Sequence, residues 1–304
     1  MPGHFLSLAD HTREELRNYL DLARQIKLNP AAFRDTCRGR TLAMIFQKPS
    51  LRTRVSFEVG MFQLGGQALY LGPTEIALGK REPTADIARV LSRYVDGIMA
   101  RVFAHADVVG LAEHATVPVI NGLSDLLHPC QVLADLMTIE EKIGRLEGLK
   151  LAYIGDGNNM AHSLLNGGAR MGMHVAIAHP TAYGPDGDVV AGARAMAEES
   201  GGSILITEDP REAARDADVI YTDTWASMGQ EAEREERLAK FQGFQVDAAL
   251  MGLAKRRAIF LHCLPAHRGE EVSPEVIDGP QSAIFDEAEN RLHAQKAILV
   301  KLMG

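Results

Sequence analysis

Residues 46–57 read FQKPSLRTRVSF, which crowds Ser50, Arg52, Thr53 and Arg54 into one short stretch. The apolar run before it, TLAMIF (41–46), reads as a buried strand. Apolar residues at 55, 57, 59, 61, 62 and 64, ending in Gly65-Gly66, predict a helix with a glycine stop. Ser50 is then the N-cap, and Arg52, Thr53 and Arg54 fall in the first turn. The free N–H groups and the positive dipole end of a helix favour an anion there. Two cations in that turn are unfavourable for the helix alone, but they make sense if a strong anion binds between them. The arginine fork matches phosphate or carboxylate oxygens. The plainer alternative is a capped surface helix whose arginines are solvated or paired with Glu58. That would serve for one arginine; the grouping S-x-R-T-R at a strand-to-helix turn favours phosphate.

Other predicted strand ends carry polar groups as well. After 117–120 (VPVI), His128-Pro129 opens a helix, leaving His128 at its mouth and Gln131 near the same entrance. A lone histidine is more often structural; here the neighbouring amide and strand end favour contact with a ligand. After 149–154 comes GDGNNM, which invites a dinucleotide reading, but Met160 stands where the third glycine belongs. The acidic residue expected at the end of the next strand, HVAIAHP, is also missing. Asn158 and Asn159 then either bond a polar substrate or form the turn. After 218–222, Asp223 lies where a cation would meet it, and Ser227-Met228-Gly229 forms a loop. The run EAEREERLAK behind it reads as a solvated helix face. After 258–262, Cys263 precedes Leu264-Pro265 and is either a small buried hydrophobe or a polar group facing the site. His267 and Arg268 follow in what reads as a mobile loop, and Arg291 sits on the last helix, where alone it would be a surface charge. Cys37 and Cys130 lack such a setting. No nucleophile–base pair and no metal-ligand spacing stands out, which points to chemistry by positioning and charge stabilisation.

The elements that must position these groups alternate. Strands are expected at 41–46, 67–71, 97–103, 117–120, 149–154, 174–178, 203–207, 218–222 and 258–262, with helical periodicity between them, as at 84–94 and 129–143. This is the pattern of an α/β protein. Nine strands are many for one sheet in 304 residues, and EEKIGRLEGLK is a charged break with two glycines. Two doubly wound domains are therefore expected, each with a mainly parallel sheet flanked by helices: 1–140 and 141–284. Helices at 5–27 and 285–304 would pack on the first domain. Ligands of such sheets bind outside the carboxyl ends of the strands.

Composition closes off other classes. The net charge of −8 argues against a nucleic-acid partner. No apolar run is long enough to span a bilayer, and the N-terminus lacks a signal-peptide core. Three widely spaced cysteines suit a reducing cytoplasm.

In combination, SLRTR (50–54), HPCQ (128–131), GDGNN (155–159), DTWASMGQE (223–231) and HCLPAHRGEE (262–271) make the chain resemble the ornithine carbamoyltransferase family along nearly its whole length. HCLP and SMG separate that family from the related aspartate carbamoyltransferases. The resemblance implies carbamoyl transfer from carbamoyl phosphate to L-ornithine, giving L-citrulline and phosphate. It also implies a carbamoyl-phosphate domain, an ornithine domain, no metal, no organic cofactor, and a homotrimer with sites at subunit boundaries. Carried over, Ser50, Leu51, Arg52, Thr53 and Arg101 hold the phosphate and carbamoyl oxygens, and His128 and Gln131 the carbamoyl group. Asn159, Asp223, Ser227 and Met228 hold ornithine, Cys263 and Leu264 lie between the substrates, and Arg291 reaches back to carbamoyl phosphate.

Two positions depart from the family. Leu51 replaces a threonine, which is harmless if only its backbone N–H meets phosphate and lowers affinity if the hydroxyl takes part. Ala77 in EIALGK stands where many bacterial members carry a glutamine that reaches a neighbouring subunit's ligand, so residues 75–80 are given no site role. The rivals are a carbamoyltransferase for another amine, such as putrescine or an N-acylated ornithine, and a binding protein that keeps the fold without the activity. Asp223 favours free ornithine, whose α-ammonium those other amines lack or mask. Intact Arg52, His128, Asp223 and Cys263 speak against a silent binding protein. The direction of the reaction and assembly beyond a trimer are not encoded in these motifs.

Overall fold

The computed structural model describes residues 3–76, 78, 82–226 and 233–304. They form two compact units, Met1–Met137 with Glu289–Gly304, and Thr138–Ala288.

The first unit is built on a parallel sheet of β1 (Thr41–Phe46), β2 (Gln67–Leu71), β3 (Gly97–Arg101) and β4 (Val119–Leu123), in the order β2-β1-β3-β4. β1 and β3 are buried almost throughout, as strands covered on both faces must be, and this is why they read as unbroken apolar runs. Chain order reverses between β1 and β3, so the crevice at their carboxyl ends is the place for a ligand. The register of β3 on β4 slips between Ala100 and Arg101. Gly122 allows this, since a Cβ there would come within 2.5 Å of Met99 Sδ. Such a bulge re-aims the side chain at the strand end, here Arg101.

The N-terminal segment differs from the expected helix over 5–27. Phe5 instead bonds β4, its N–H to Val119 O at 2.9 Å and its carbonyl to Asn121 N at 2.8 Å. The helix starts at Arg13, where Thr12 and Glu15 form a reciprocal capping box, and runs to Leu28. A helix over 84–94 shortens to Thr84–Leu91, and the one over 129–143 matches Pro129–Ile143.

The second unit carries β5 (Lys150–Ile154), β6 (His174–Ala178), β7 (Ser203–Thr207), β8 (Val219–Thr222) and β9 (Ile259–His262), all parallel, in the order β7-β6-β5-β8-β9. Its switch point lies between β5 and β8, which places GDGNN and Asp223 side by side at the strand ends. Trp225, Phe241, Phe244 and Phe260 anchor its core. The solvated face expected for EAEREERLAK fails at Arg237. Its guanidinium is buried, donating to Asp156 at 2.9 Å and to Trp225 O at 3.0 Å, and it faces the Tyr183 ring. Arginine at helical spacing can turn inward when a carboxylate and a carbonyl meet its fork. Arg268 is likewise tied, with a two-pronged bond to Asp278 at 2.7 and 2.9 Å.

Among the described residues no helix is long and apolar enough to cross a membrane.

Candidate active site

In the first unit the helix Leu51–Gln63 begins where β1 ends. Ser50 caps it, accepting from Thr53 N at 3.3 Å. Leu51, at the first helical position, is 75% exposed, and its backbone N–H is one of the turn's open donors. The two arginines divide. Arg54 pairs with Glu58 at 3.1 Å and lies over the Tyr70 ring, the structural reading offered above. The half-buried Arg52 guanidinium has no ion pair among the described residues.

Thr53 is buried, and its hydroxyl oxygen lies 3.5 Å from Arg101 Nη1 and 3.4 Å from Arg291 Nη2. Arg291 Nη1 donates to Gln131 Oε1 at 2.6 Å, and Gln131 Nε2 donates to Asp135 at 2.8 Å. Elements far apart in sequence thus converge: the helix after β1, the end of β3, the helix Pro129–Ile143 and the last helix. His128 stands at the mouth of Pro129–Ile143 and is 6% exposed. Burial first, then the positive charges of Arg291, Arg101 and Arg52, hold its imidazole well below the usual histidine range. A neutral imidazole among three guanidinium groups can donate a hydrogen bond to a developing oxyanion without adding charge of its own. Cys130 behaves as a buried hydrophobe: its Sγ donates to Asn121 O at 3.3 Å, and burial pushes the thiol up to about 12. Cys37 is buried too, and the same cause pushes it up to about 11.

In the second unit Asp223 leaves the end of β8 and is 7% exposed. It accepts from Cys263 Sγ at 3.0 Å, from Asn158 Nδ2 at 3.1 Å and from Thr224 N at 2.8 Å. The thiol of Cys263 therefore takes the polar one of its two readings. Asn159 is the first residue of the helix Asn159–Arg170, and Asn158 is its N-cap. A Cβ on Gly157 would lie 2.2 Å from the backbone of Gly184 and Pro185, so this glycine lets two loops cross. Ser227 and Met228 lie outside the described residues, as does Ala77.

Leu264 holds a left-handed backbone, φ 59°, which an L side chain adopts only when its surroundings insist. Its N–H donates to His262 Nδ1 at 2.9 Å. His262 Nε2 is then the protonated nitrogen, donating to Glu271 Oε1 at 3.2 Å. Burial alone would raise the Glu271 carboxyl, but hydrogen bonds from His262 and from His267 N–H hold it below the ordinary range. Glu287 accepts from His262 N and from Tyr221 Oη, both at 2.9 Å. These supports were not singled out from sequence. His262 was visible as the first letter of HCLP; nothing local to Glu271 or Glu287 marks them. Ligand atoms of Asp223, His262 and Cys263 lie within 4.8 Å of one another, a grouping able to hold a metal ion, and so do those of His267, Glu270 and Glu271. In the first group both ring nitrogens of His262 and the thiol are already committed to the bonds above.

The chain matches two family models. "Aspartate/ornithine carbamoyltransferase, carbamoyl-P binding domain" covers residues 3–141, and "Aspartate/ornithine carbamoyltransferase, Asp/Orn binding domain" covers 147–302. Ornithine carbamoyltransferase of Anoxybacillus flavithermus is 59% identical over 302 residues, 98% of this chain and 96% of its own. The Pyrococcus furiosus relative described as "Ornithine carbamoyltransferase, anabolic" is 57% identical over 301 residues, 98% of this chain and 96% of its own. The solved structure of ornithine carbamoyltransferase from Pyrococcus furiosus superposes with a TM-score of 0.96 at 57% identity, covering 99% of this chain and 97% of that one.

Proposed function

The chain belongs to the aspartate/ornithine carbamoyltransferase family, and from that premise we propose how its residues divide the work of the reaction. The enzyme transfers the carbamoyl group of carbamoyl phosphate to the side-chain amine of L-ornithine, giving L-citrulline and phosphate. The observation that supports the assignment most is the cluster of Thr53, Arg101, Arg291 and Gln131 beside the capped helix that follows β1.

Ser50, Leu51, Arg52, Thr53 and Arg101 hold the phosphate, through side chains and the open N–H groups of the first turn. Gln131 and His128 orient the carbamoyl end, and Arg291 reaches back to carbamoyl phosphate, its Nη2 lying 3.4 Å from the Thr53 hydroxyl of the phosphate turn. Asp223 pairs with the α-ammonium of ornithine, assisted by Asn159, Ser227 and Met228. The δ-amine must lose its proton before it attacks, and its free pKa should be that of a lysine, about 10.4. Neighbouring guanidinium groups and burial favour the neutral amine. Its lone pair adds to the carbonyl carbon, and charge gathers on the carbonyl oxygen, where Arg52, Arg101 and neutral His128 meet it. The bond to phosphate oxygen then breaks, the same arginines stabilise the leaving group, and the extra proton on nitrogen passes to the departing phosphate. Cys263 and Leu264 contact the reacting groups, the thiol held in place by Asp223 at 3.0 Å.

The domain boundary is proposed near residue 140, with the first part binding carbamoyl phosphate together with the last helix, and 141–284 binding ornithine. A homotrimer is proposed as the working assembly. Leu51, Val55, Phe62 and Leu69 support it, an exposed apolar set on the first helix after β1 and on edge strand β2. Arginine synthesis in the cytoplasm is the proposed setting, in line with the anabolic description of the Pyrococcus furiosus relative.

The test is citrulline formation from carbamoyl phosphate with L-ornithine, putrescine and N-acetylornithine as competing acceptors. Strong preference for ornithine supports the Asp223 assignment. Preference for another amine would leave the carbamoyl-phosphate half standing and overturn the ornithine half.

A further inference from the structure

Arg291 is 3% exposed, and its fork is gripped on both sides. On one side Gln131 Oε1 accepts from Nη1 at 2.6 Å. Behind that amide, its Nε2 donates to Asp135, a fully buried carboxyl. On the other side lies Gln295, also fully buried. With its amide turned so that both ends are satisfied, its oxygen accepts from Arg291 Nη2 at 2.8 Å and Nε at 3.2 Å, and its nitrogen donates to Ser56 Oγ. Ser56 Oγ in turn donates to the carbonyl of Arg52 at 2.5 Å. A chain of hydrogen bonds thus runs from Asp135 through the buried side chains of Gln131, Arg291 and Gln295, and by way of half-buried Ser56, to the turn that carries Arg52.

We propose that Asp135 and Gln295 are positioning residues for carbamoyl phosphate, acting through Arg291. The inference rests on the reading of Arg291 as a carbamoyl-phosphate ligand. The chemistry explains the odd placement of a buried acid beside an anion site. A carboxylate bonded straight to Arg291 would compete with phosphate for its fork. Set one amide behind, it cannot. It instead holds the NH₂ end of Gln131 toward itself, so the oxygen end must face Arg291; a flipped amide would set N–H against N–H. Gln295 performs the same service from the helix that carries Arg291 and ties that helix to the phosphate turn. Neither side chain needs to touch substrate, and a preorganised fork loses less freedom when the anion arrives.

Carbamoyl phosphate is varied at saturating L-ornithine, and inorganic phosphate serves as competitive probe, for wild type, Arg291→Ala, Asp135→Ala, Asp135→Asn, Gln295→Ala and the Asp135→Ala/Arg291→Ala pair. Asp135→Ala and Gln295→Ala should each raise the KM for carbamoyl phosphate and the phosphate inhibition constant about tenfold, a step of ~1.4 kcal/mol. The KM for ornithine should stay within about twofold, a split that general loosening of the fold would not give. Asp135→Asn should recover part of the loss, because its side-chain carbonyl still accepts from Gln131. In the Arg291→Ala background, Asp135→Ala should add nothing further, the signature of action through that arginine. Variants that keep all these constants and only melt earlier would overturn the proposal. Unchanged carbamoyl-phosphate KM in Arg291→Ala would instead overturn the reading of Arg291 itself. If Asp135→Ala does not fold, Gln295→Ala carries the same test.

Discussion

Asn158 ties Asp223 to the first turn of the helix that follows β5. Its Nδ2 donates to Asp223 Oδ2 at 3.1 Å, while its Oδ1 accepts Met160 N at 2.9 Å. One side chain therefore caps a helix and fixes a carboxylate. Asn158→Ser keeps a capping oxygen but is too short to reach Asp223. The melting temperature should hold within a few degrees. The KM for L-ornithine should rise about 5–15-fold, the effect of losing one hydrogen bond worth ~1–1.5 kcal/mol. An unchanged KM would show that Cys263 and Thr224 alone hold Asp223.

Arg52 and Arg54 separate the two readings of SLRTR. Arg54 is committed to Glu58 in a half-exposed pair on the helix surface, the kind worth about 0–1 kcal/mol. Arg52 is not so committed. Arg52→Ala should lower kcat by roughly 10²–10³, as loss of a transition-state donor does. Arg54→Ala should stay within a few-fold. Equal losses in a steady-state assay would mean that Arg54 leaves Glu58 to serve the anion.

His128 sets an acid-side prediction. Its folded pKa lies well below the ordinary value of 6.5, chiefly through burial and then through its three arginine neighbours. Well above 6.5 the imidazole is neutral in both the folded and the unfolded chain and contributes no pH dependence. As pH falls below 6.5 the unfolded chain takes up a proton that the folded chain refuses, so folding stability declines with acid. Burial lowers His4, His11, His105 and His293 in the same sense, so the contribution is read as a difference. His128→Gln should lose less stability than wild type between pH 6.5 and 5, and an NMR titration should find the His128 ring still neutral at 6.5. A midpoint at or above 6.5 would contradict the electrostatic picture of the site.

Much of this was legible before any coordinates. Eight of the nine strands fall on the apolar runs expected for them, the inner ones because strands covered on both faces need not alternate and so stand out. β4, expected at 117–120, instead spans Val119–Leu123, with Asn121 and Gly122 breaking the apolar pattern. Ser50, His128 and Asp223 were legible for a related reason: each sits at an element boundary, where a polar residue has a local geometric meaning. What escaped has long sequence separation. Phe5 bonds β4 across 114 residues in sequence, from 5 to 119, and a helical pattern beside it masks the pairing. Glu271 and Glu287 lie among other acids on polar stretches, and only the fold turns those two inward. The support of Arg291 by Gln295 is invisible in the same way, since a glutamine on a helix has no preferred side until its partner is known.

Arg237 is the sharpest such case, because a run of charges hid a buried cation. Its guanidinium meets Asp156 at 2.9 Å with both side chains about a tenth exposed or less. Burial pushes the Asp156 carboxyl up, and Arg237 pulls against that rise. Arg237→Met fills the space but leaves the carboxyl buried without its counter-charge, a loss of about 3–5 kcal/mol by precedent for one partner of a buried pair. The sign of the pH dependence follows. With the pull removed, the folded pKa of Asp156 climbs further above its unfolded value. A group raised in this way stabilises while protonated and loses that contribution as pH rises through its folded pKa. The variant's deficit should therefore be largest at neutral and alkaline pH and shrink in acid. Adding Asp156→Asn to the same chain should restore part of the stability, since an amide tolerates burial better than a carboxylate. Denaturant unfolding of the single and double variants at several pH values tests this. A deficit that is flat with pH would mean that the arginine matters through its packing on Tyr183 and its bond to Trp225 O rather than through charge.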